Sequence, residues 1–388
     1  MRIVMLSTDS GIRFGGSKGA AVHLAEVASA LARSGATVLL LAAEFEPGAE
    51  PPAGGALEAL PGPNRASAAE RVAGQTILQR WLEDRLRRFN PDVLYERFAL
   101  HSAAGAAAAA RLDIPYLVEL NAPLPVEAAR YRTLDEPDAA HRLEAATLAA
   151  AHRVFAVSSP LAAYARDHGA ACVEVMPNAV DINRFPERPP FEEGGSREAG
   201  RQPVAAFLGT PRPWHGIETI ARAWEILGAD APGLLIIGDG PGRERLRAVG
   251  ASTLGNVRHE AVAHLLARAD IGLAPFAPDA PPYFSPLKLF EYLAAGLAVV
   301  VGALPGVREV VTPDAAMLIP PGDPVALAHA IRTLARDPAR RYVMGQAGRT
   351  LVADHHTWDR RAARVIEVIA DLGRTAGATS PDRIGLPA

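Results

Sequence analysis

The chain has 388 residues, a formal net charge of −3 and 49% hydrophobic residues. This length exceeds what one hydrophobic core commonly supports, so we expect two domains. The near-neutral charge argues against a general nucleic-acid binder, which would carry a basic field.

Cysteine content and hydropathy narrow the class of protein further. A single cysteine, Cys172, excludes a disulfide within the chain and indicates a reducing, cytoplasmic compartment. No stretch reaches the roughly 18 apolar residues of a membrane-spanning helix. The N-terminus predicts a strand rather than a signal peptide, because its apolar run is short and no cleavage site follows. The 11 histidines are scattered, so we expect no metal and no cofactor.

The first predicted elements are a strand at residues 2–7, a helix ending near residue 33 and a strand at residues 36–43. Strand, Gly-rich loop, helix and strand form the opening of a doubly wound α/β fold. The loop GGSKG does not match the GxGxxG fingerprint, so NAD is not indicated. Because this loop opens a helix, we favour a ligand role for Gly16 and Lys18 over a flexible loop.

Residues 44–70 are rich in Pro, Gly and Ala, which predicts a surface excursion. Residues 77–89 form an amphipathic pattern with arginines on one side. We favour a helix that faces the core and has a solvated Arg face. A helix lying on a membrane surface is the alternative and would give weak peripheral membrane contact.

Four further predicted strands end in polar residues, at 93–95, 116–118, 154–157 and 173–176. In an open α/β sheet, ligands bind beyond the carboxyl ends of the strands. The site candidates at these ends are Glu96, Arg97, Glu119 and Asn121. Each of them alone could instead be a hydrogen-bonded turn residue.

The second half repeats the alternation of strands and helices. Residues 181–202 lack periodicity and predict a linker between domains at 1–180 and 203–357. Strands are then predicted at 204–208, 234–237, 257–259 and 271–274. Two doubly wound units therefore face each other across a cleft. The loop with Arg212 and His215 follows a strand and runs into a helix, which suits an anion.

Residues 285–296 carry signals for a helix start and stop. Ser285 predicts the N-cap and Pro286 the first helical position. Gly296 fits the left-handed position just after the helix end. The helix then leads into a short buried strand at residues 298–301.

Two charges on this helix need an explanation. Lys288 lies in the first turn, where the helix dipole disfavours a cation. An anion, most simply a phosphate, would balance this charge by binding at the free N–H groups of Leu287 and Lys288. Glu291 could then accept hydrogen bonds from hydroxyls of the same ligand. An exposed Lys–Glu pair on a solvated face is the alternative.

Five segments together resemble the family 4 retaining glycosyltransferases, which have the GT-B fold of two Rossmann-like domains. They are HLAEVASALARSGATV at 23–38, VMPNAVDINRF at 175–185, LGTPRPWHG at 208–216, IIGDGPGRERL at 236–246 and YFSPLKLFEYLAAGLAVV at 283–300. The resemblance covers nearly the whole chain. It implies metal-independent transfer of a sugar, with retention, from a nucleoside-diphosphate sugar to a hydroxyl of a glycan, glycolipid or small molecule.

The resemblance also implies which residues act. The donor binds mainly the C-terminal domain and the acceptor the N-terminal domain. The catalytic candidates are Arg212, Lys288, Glu291 and Asn121. The acceptor-binding candidates are Lys18, Glu96, Arg97 and Glu119. The donor-binding candidates are Gly16, Gly209, His215, Gly238, Gly240, Tyr283, Ser285, Pro286 and Leu287.

The chain departs from the family pattern at several positions. The family has two glutamates eight residues apart, of which Glu291 matches the second and implies a grip on the ribose hydroxyls. The first falls on Tyr283, so sugar recognition is left open. The usual Arg and Lys of the 209–216 loop fall on Thr210 and His215. The family's usual histidine at the end of an N-domain strand falls on Asn121.

These departures leave two other functions open: a sugar-nucleotide epimerase or phosphorylase of related fold, and a non-catalytic nucleotide-sugar binder. The base, the sugar, the acceptor and the oligomeric state are also open. Residues 358–373 predict a helix that crosses back to the first domain, and residues 374–388 a disordered tail.

Overall fold

The computed structural model describes residues 1–62, 66–189 and 201–378. The described strands are β1 (Arg2–Ser7), β2 (Arg13–Phe14), β3 (Thr37–Ala42), β4 (Glu44–Phe45), β5 (Ala56–Ala59), β6 (Val93–Arg97), β7 (Tyr116–Leu120), β8 (Arg153–Ala156), β9 (Val173–Val175), β10 (Val204–Leu208), β11 (Gly233–Ile237), β12 (Ser252–Thr253), β13 (Ile271–Ala274), β14 (Ala298–Gly302) and β15 (Ala316–Ile319).

The described helices are α1 (Gly19–Arg33), α2 (Ala68–Ala73), α3 (Gln75–Phe89), α4 (Ala104–Leu112), α5 (Leu124–Tyr131), α6 (Pro137–Ala150), α7 (Ser159–Asp167), α8 (Ile217–Leu227), α9 (Arg243–Arg247), α10 (His259–Leu266), α11 (Leu287–Ala294), α12 (Pro305–Arg308), α13 (Pro324–Arg336), α14 (Pro338–His355) and α15 (Trp358–Ala378). None of the helices in this part of the chain is both long and apolar enough to cross a bilayer.

Two parallel sheets organise these elements. The first has the order β5-β3-β1-β6-β7-β8-β9 and the second the order β12-β11-β10-β13-β14-β15. In each sheet the chain starts near the middle, builds outward to one edge and then returns to build the other. This confirms the prediction of two doubly wound units. The points where the order reverses lie between β1 and β6 and between β10 and β13, where such sheets bind ligands.

Apolar side chains cover both faces of each sheet. In β1, Ile3 and Met5 pack on one face while Val4 and Leu6 pack on the other, and all four are fully buried. Side chains alternate in this way along any strand, and a parallel sheet under helices on both faces buries both sets. The continuous apolar runs seen in the sequence follow from this arrangement.

One local prediction was incomplete and one was wrong. Residues 44–70 contain the strands β4 and β5, the second of which is an edge strand paired with β3. Residues 257–259 were predicted as a strand, but His259 is the first residue of α10 and the local strand is β12. Strands β5 and β12 are short and follow closely on Gly residues, so the sequence shows no hydrophobic alternation at either of them.

The last helix packs on the first domain. In α15, the Trp358 ring lies 4.8 Å from the ring of His23 in α1 and meets it edge to face. The Arg33 guanidinium lies 2.7 Å from the Asp359 carboxylate. The helix runs to Ala378, beyond the predicted end at residue 373. Residues 379–388 of the predicted tail and 190–200 of the predicted linker lie outside the described residues.

Candidate active site

Both switch points open onto one cleft of about 480 Å³ between the domains. The N-terminal domain contributes the loop before α1 and the ends of β6 and β7. The C-terminal domain contributes the ends of β10 and β11 and the start of α11. The polar side chains that line the cleft are Ser17, Lys18, His23, Arg97, Asn121, Asn178, Thr210, Arg212, Trp214, His215, Asn256, His259, Ser285, Lys288 and Glu291.

Two helices, one from each domain, begin at this cleft. Helix α1 starts after Lys18 and α11 starts after Pro286, and neither has an acidic residue in its first turn. A Cβ placed on Gly19 would lie 3.7 Å from the Leu287 side chain, so the two starts are neighbours. Their free N–H groups and dipoles give the cleft a positive potential without any side-chain charge.

The start of α11 is fixed by the other domain. Pro286, not Ser285, occupies the N-cap position, and no side chain of the described residues caps this helix. The predicted cap was wrong because Ser285 Oγ accepts a hydrogen bond from the Asn178 backbone N–H at 3.0 Å. The Asn178 amide also donates to the Ser285 carbonyl. Asn178 therefore holds α11 from the segment that follows β9.

Lys288 is the most unusual group in the cleft. It is only 9% exposed, and among the described residues its Nζ has no hydrogen-bond partner. The ammonium lies 4.0 Å from the centroid of the Phe207 ring, which offers a cation–π contact but no counter-charge. Burial lowers the pKa of Lys288 to about 7, although Glu291 acts in the opposite direction. A buried cation with no partner needs an anion from outside the chain.

Glu291 lies one turn further along α11 and is also buried. Its Oε1 accepts a hydrogen bond from His259 Nε2 at 2.9 Å. Its Oε2 has no hydrogen-bond partner among the described residues. Because both Lys288 and Glu291 are buried in the cleft wall, the alternative of an exposed Lys–Glu pair was wrong.

The loop after β10 brings a second positive charge. Arg212 is exposed at the mouth of the cleft and lies over the Trp214 ring at 5.2 Å. The His215 Nδ1 lies 2.8 Å from the Thr210 carbonyl, so Nδ1 carries the ring proton. Burial and the nearby charges of Lys288 and Arg212 lower the pKa of His215 to about 2. His215 is therefore neutral and presents an acceptor, not a charge.

Close packing of this loop depends on glycine. Gly238 has φ +141°, and a Cβ there would lie 2.3 Å from the Gly209 carbonyl oxygen. Only glycine adopts such a backbone without strain and also permits this approach. A Cβ on Gly240 would lie 2.6 Å from Thr210 Cγ2, although Gly240 itself does not line the cleft. These two glycines let the loop after β11 pack closely against residues 209–210 at the end of β10.

On the N-terminal side, Glu119 organises the groups that reach the cleft. It is 5% exposed and accepts hydrogen bonds from Arg97 at 3.1 Å, Asn121 at 2.7 Å and Tyr95 at 2.6 Å, and it also contacts His23 Nε2. Burial raises the pKa of Glu119, but the His23 and Arg97 charges outweigh it and hold the pKa well below its usual value. Within the part of the chain that the structure describes, the Asn121 Oδ1 has no hydrogen-bond partner, so it can accept from a ligand.

Among residues 1–62, 66–189 and 201–378, no three His, Cys, Asp or Glu side chains form a group that could hold a metal ion.

Comparison with known proteins gives the family. A family model described as Glycosyltransferase Family 4 matches residues 17–184, and one described as Glycosyl transferases group 1 matches residues 202–337. Together they cover well over half of the chain. The chain belongs to glycosyltransferase family 4.

Two curated relatives of this family 4 glycosyltransferase are mannosyltransferases. A GDP-mannose-dependent monoacylated alpha-(1-6)-phosphatidylinositol monomannoside mannosyltransferase from Corynebacterium glutamicum is 27% identical over 50% of this chain and 55% of its own length. A GDP-mannose-dependent alpha-(1-6)-phosphatidylinositol dimannoside mannosyltransferase from Mycobacterium tuberculosis is 37% identical over 39% of this chain and 38% of its own length. The chain thus spans about half the length of the curated relatives it matches, or less.

A solved structure establishes the fold. Sucrose-phosphate synthase from Thermosynechococcus elongatus has a TM-score of 0.74 and 20% identity, over 98% of this chain and 100% of that chain. This likeness and the two facing parallel-sheet domains confirm the GT-B prediction.

The cleft of this family 4 glycosyltransferase brings together twelve of the residues predicted to act, and their roles remain proposals. They are Lys18, Arg97, Asn121, Gly209, Arg212, His215, Gly238, Ser285, Pro286, Leu287, Lys288 and Glu291. Five other candidates, Gly16, Glu96, Glu119, Gly240 and Tyr283, do not line it.

Three of these five have other structural tasks. Glu96 is fully buried, burial raises its pKa to about 7, and Tyr116 donates to it at 2.6 Å. Gly16 packs on the Arg13 carbonyl within a turn. The Tyr283 ring packs against the N-terminal core, and its carbonyl accepts from Ser158 at 3.0 Å. Strand alternation explains Glu96, since its neighbour Arg97 points to the cleft instead.

Sequence reasoning missed seven polar cleft residues: Ser17, His23, Asn178, Thr210, Trp214, Asn256 and His259. His23, Asn178, Thr210 and Trp214 lie in segments that carry the family resemblance. Ser17 lies in the Gly-rich loop before α1, and His259 lies in the stretch wrongly predicted as a strand. Only Asn256 had no signal, because a lone polar residue in a loop is common.

Proposed function

We propose that the protein transfers a hexose, with retention at the anomeric carbon, from a nucleoside-diphosphate sugar to an acceptor hydroxyl, without a metal. The unpartnered, buried Lys288 ammonium carries this proposal. A diphosphate seated at the starts of α1 and α11 would supply its missing counter-charge. Arg212 and the helix N–H groups would complete the same anion site.

The reaction breaks the bond between the anomeric carbon and the β-phosphate oxygen. Negative charge then grows on the β-phosphate, and Lys288 and Arg212 are placed to stabilise it. The acceptor oxygen forms the new bond on the same face, and its proton passes to the departing phosphate oxygen. We propose no protein nucleophile, since the one carboxylate among the described cleft residues, Glu291, is held by His259.

We propose that Glu291 Oε2 accepts from the ribose hydroxyls and that Asn121, Lys18 and Arg97 face the sugar and the acceptor. The relatives' names favour GDP-mannose as the first donor to test and a glycolipid as the first acceptor. A glycolipid would require peripheral contact with a membrane. Ile77, 71% exposed on α3, and the exposed arginines of that helix are suited to such contact.

The test has a binding arm and an activity arm. Thermal shift with UDP, GDP, ADP and dTDP should raise the melting temperature for at least one nucleotide, because a ligand of the native state stabilises it. Replacing Lys288 or Arg212 by Met should lower turnover about 10²- to 10³-fold, while the exposed-pair control Arg222→Met should not. Turnover should survive EDTA. No nucleotide binding, or binding without transfer across acceptors, would overturn the proposal.

A further inference from the structure

A chain of hydrogen bonds links Glu291 to the other domain through two side chains that the proposed reaction does not use. His259 Nε2 lies 2.9 Å from Glu291 Oε1. Arg184 Nη1 lies 2.9 Å from His259 Nδ1 and 2.5 Å from Glu26 Oε1. Glu26 belongs to α1 of the N-terminal domain, Arg184 to the turn that leaves this domain, and His259 begins α10 of the C-terminal domain.

The hydrogen bonds fix the tautomer of His259. A guanidinium only donates, so Nδ1 of His259 must accept from Arg184. The ring proton is then on Nε2, which donates to Glu291 Oε1. In this state the Glu291 carboxylate is held in one orientation, and Oε2 remains available to a ligand.

The four side chains are largely shielded from solvent. None of them is more than 27% exposed, and they surround a small cavity next to the cleft together with Trp358 and Leu287. Charge-assisted hydrogen bonds in such surroundings are stronger than on an open surface and hold their geometry. The arrangement exists only while the two domains and the segment between them are docked, because its members come from all three.

We propose that Arg184 is a positioning residue, which sets the His259 ring and thereby aims the Glu291 carboxylate at the ribose hydroxyls of the donor. Docking of Arg184 on Glu26 thus links closure of the two domains to donor affinity. This inference rests on the proposed function, in which Glu291 contacts the ribose.

The first test needs no ligand. Long-range ¹H–¹⁵N spectra of the wild-type full chain should show His259 as the Nε2–H tautomer. Arg184→Met removes the N–H that donates to Nδ1, while Nε2–H keeps its Glu291 acceptor. The ¹⁵N resonance of Nδ1 should therefore move away from its wild-type position, whereas in the control Arg222→Met it should not. An unchanged Nδ1 resonance in Arg184→Met overturns the inference, whatever the nucleotide arm shows.

The second test measures binding by calorimetry with UDP and GDP and their 2′,3′-dideoxy forms. Arg184→Met and His259→Phe should each weaken binding of the ribose form about tenfold and leave the dideoxy form nearly unchanged. His259→Gln should retain most of the affinity, since its amide still donates to Glu291. Equal losses for both forms would mean a general structural effect and overturn the inference. If the wild type binds none of UDP, GDP, ADP and dTDP, the proposed function itself fails.

Discussion

Lys288 combines a cost to folding with a use in binding. Its ammonium is removed from water and gains only the face of Phe207. A group that is expensive in the free protein and neutralised by a ligand is what a binding site for anions requires. Such a group also predicts a specific dependence of stability on pH.

Lys288→Met should stabilise the ligand-free protein by about 2–4 kcal/mol at pH 6. Burial lowers the pKa of Lys288 to about 7 in the fold, against 10.5 for an ordinary lysine. Between these values the unfolded chain binds one more proton than the folded one, so wild-type stability rises with pH across this window. The gain from Met should therefore shrink towards pH 10. Urea unfolding at several pH values measures it, and a loss of stability at pH 6 would contradict it.

For Glu119, in contrast to Lys288, the dependence of stability on pH is expected in the acid range. Its low pKa in the fold means that its stabilisation is present above about pH 4.5 and is lost as the pH falls below that value. Glu119→Gln should cost about 3 kcal/mol at pH 7, because His23 and Arg97 lose their buried partner. The difference in the free energy of unfolding between this variant and the wild type should shrink as the pH falls below 4.5. A constant gap in acid titrations of unfolding would disprove this, and the exposed Glu225→Gln serves as control.

At the scale of elements, the sequence predicts strands better than helix starts. The runs that became β10 and β13 were bounded correctly because fully buried parallel strands are continuous apolar runs. The start of α11 was predicted incorrectly, because Ser285 Oγ accepts a hydrogen bond from Asn178, more than 100 residues away, and does not cap the helix. Likewise Glu96 and Arg97 both follow a strand-end pattern, and only the pleat of β6 decides which one faces the cleft.

Two glycines with positive φ allow the free-energy cost of backbone strain to be distinguished from the cost of a close contact. Gly238→Ala should cost more than about 3 kcal/mol and weaken nucleotide binding, since its Cβ would lie 2.3 Å from the Gly209 carbonyl oxygen. Gly250→Ala also has a positive φ, at +88°, but meets nothing within 4 Å and should cost only about 1 kcal/mol. Thermal unfolding compares the two, and equal costs would refute the close-packing argument.

At the scale of the molecule, contacts across the cleft hold the two domains together. Arg130 Nη2 lies 2.9 Å from Asp279, the rings of Tyr131 and Trp214 are 5.0 Å apart, and Glu309 accepts from the Ser159 N–H at 3.0 Å. None of these pairs could be predicted from the sequence, since their partners are about 80 to 150 residues apart. The sequence did predict the facing domains, because each unit places its polar strand ends at one edge.

The most direct test is a calorimetric comparison of a nucleoside diphosphate with its monophosphate, using the wild type and Lys288→Met. If Lys288 and the two helix starts hold the β-phosphate, Lys288→Met should weaken diphosphate binding at least about tenfold and leave monophosphate binding nearly unchanged. Equal affinities of the diphosphate for the two proteins would contradict the account.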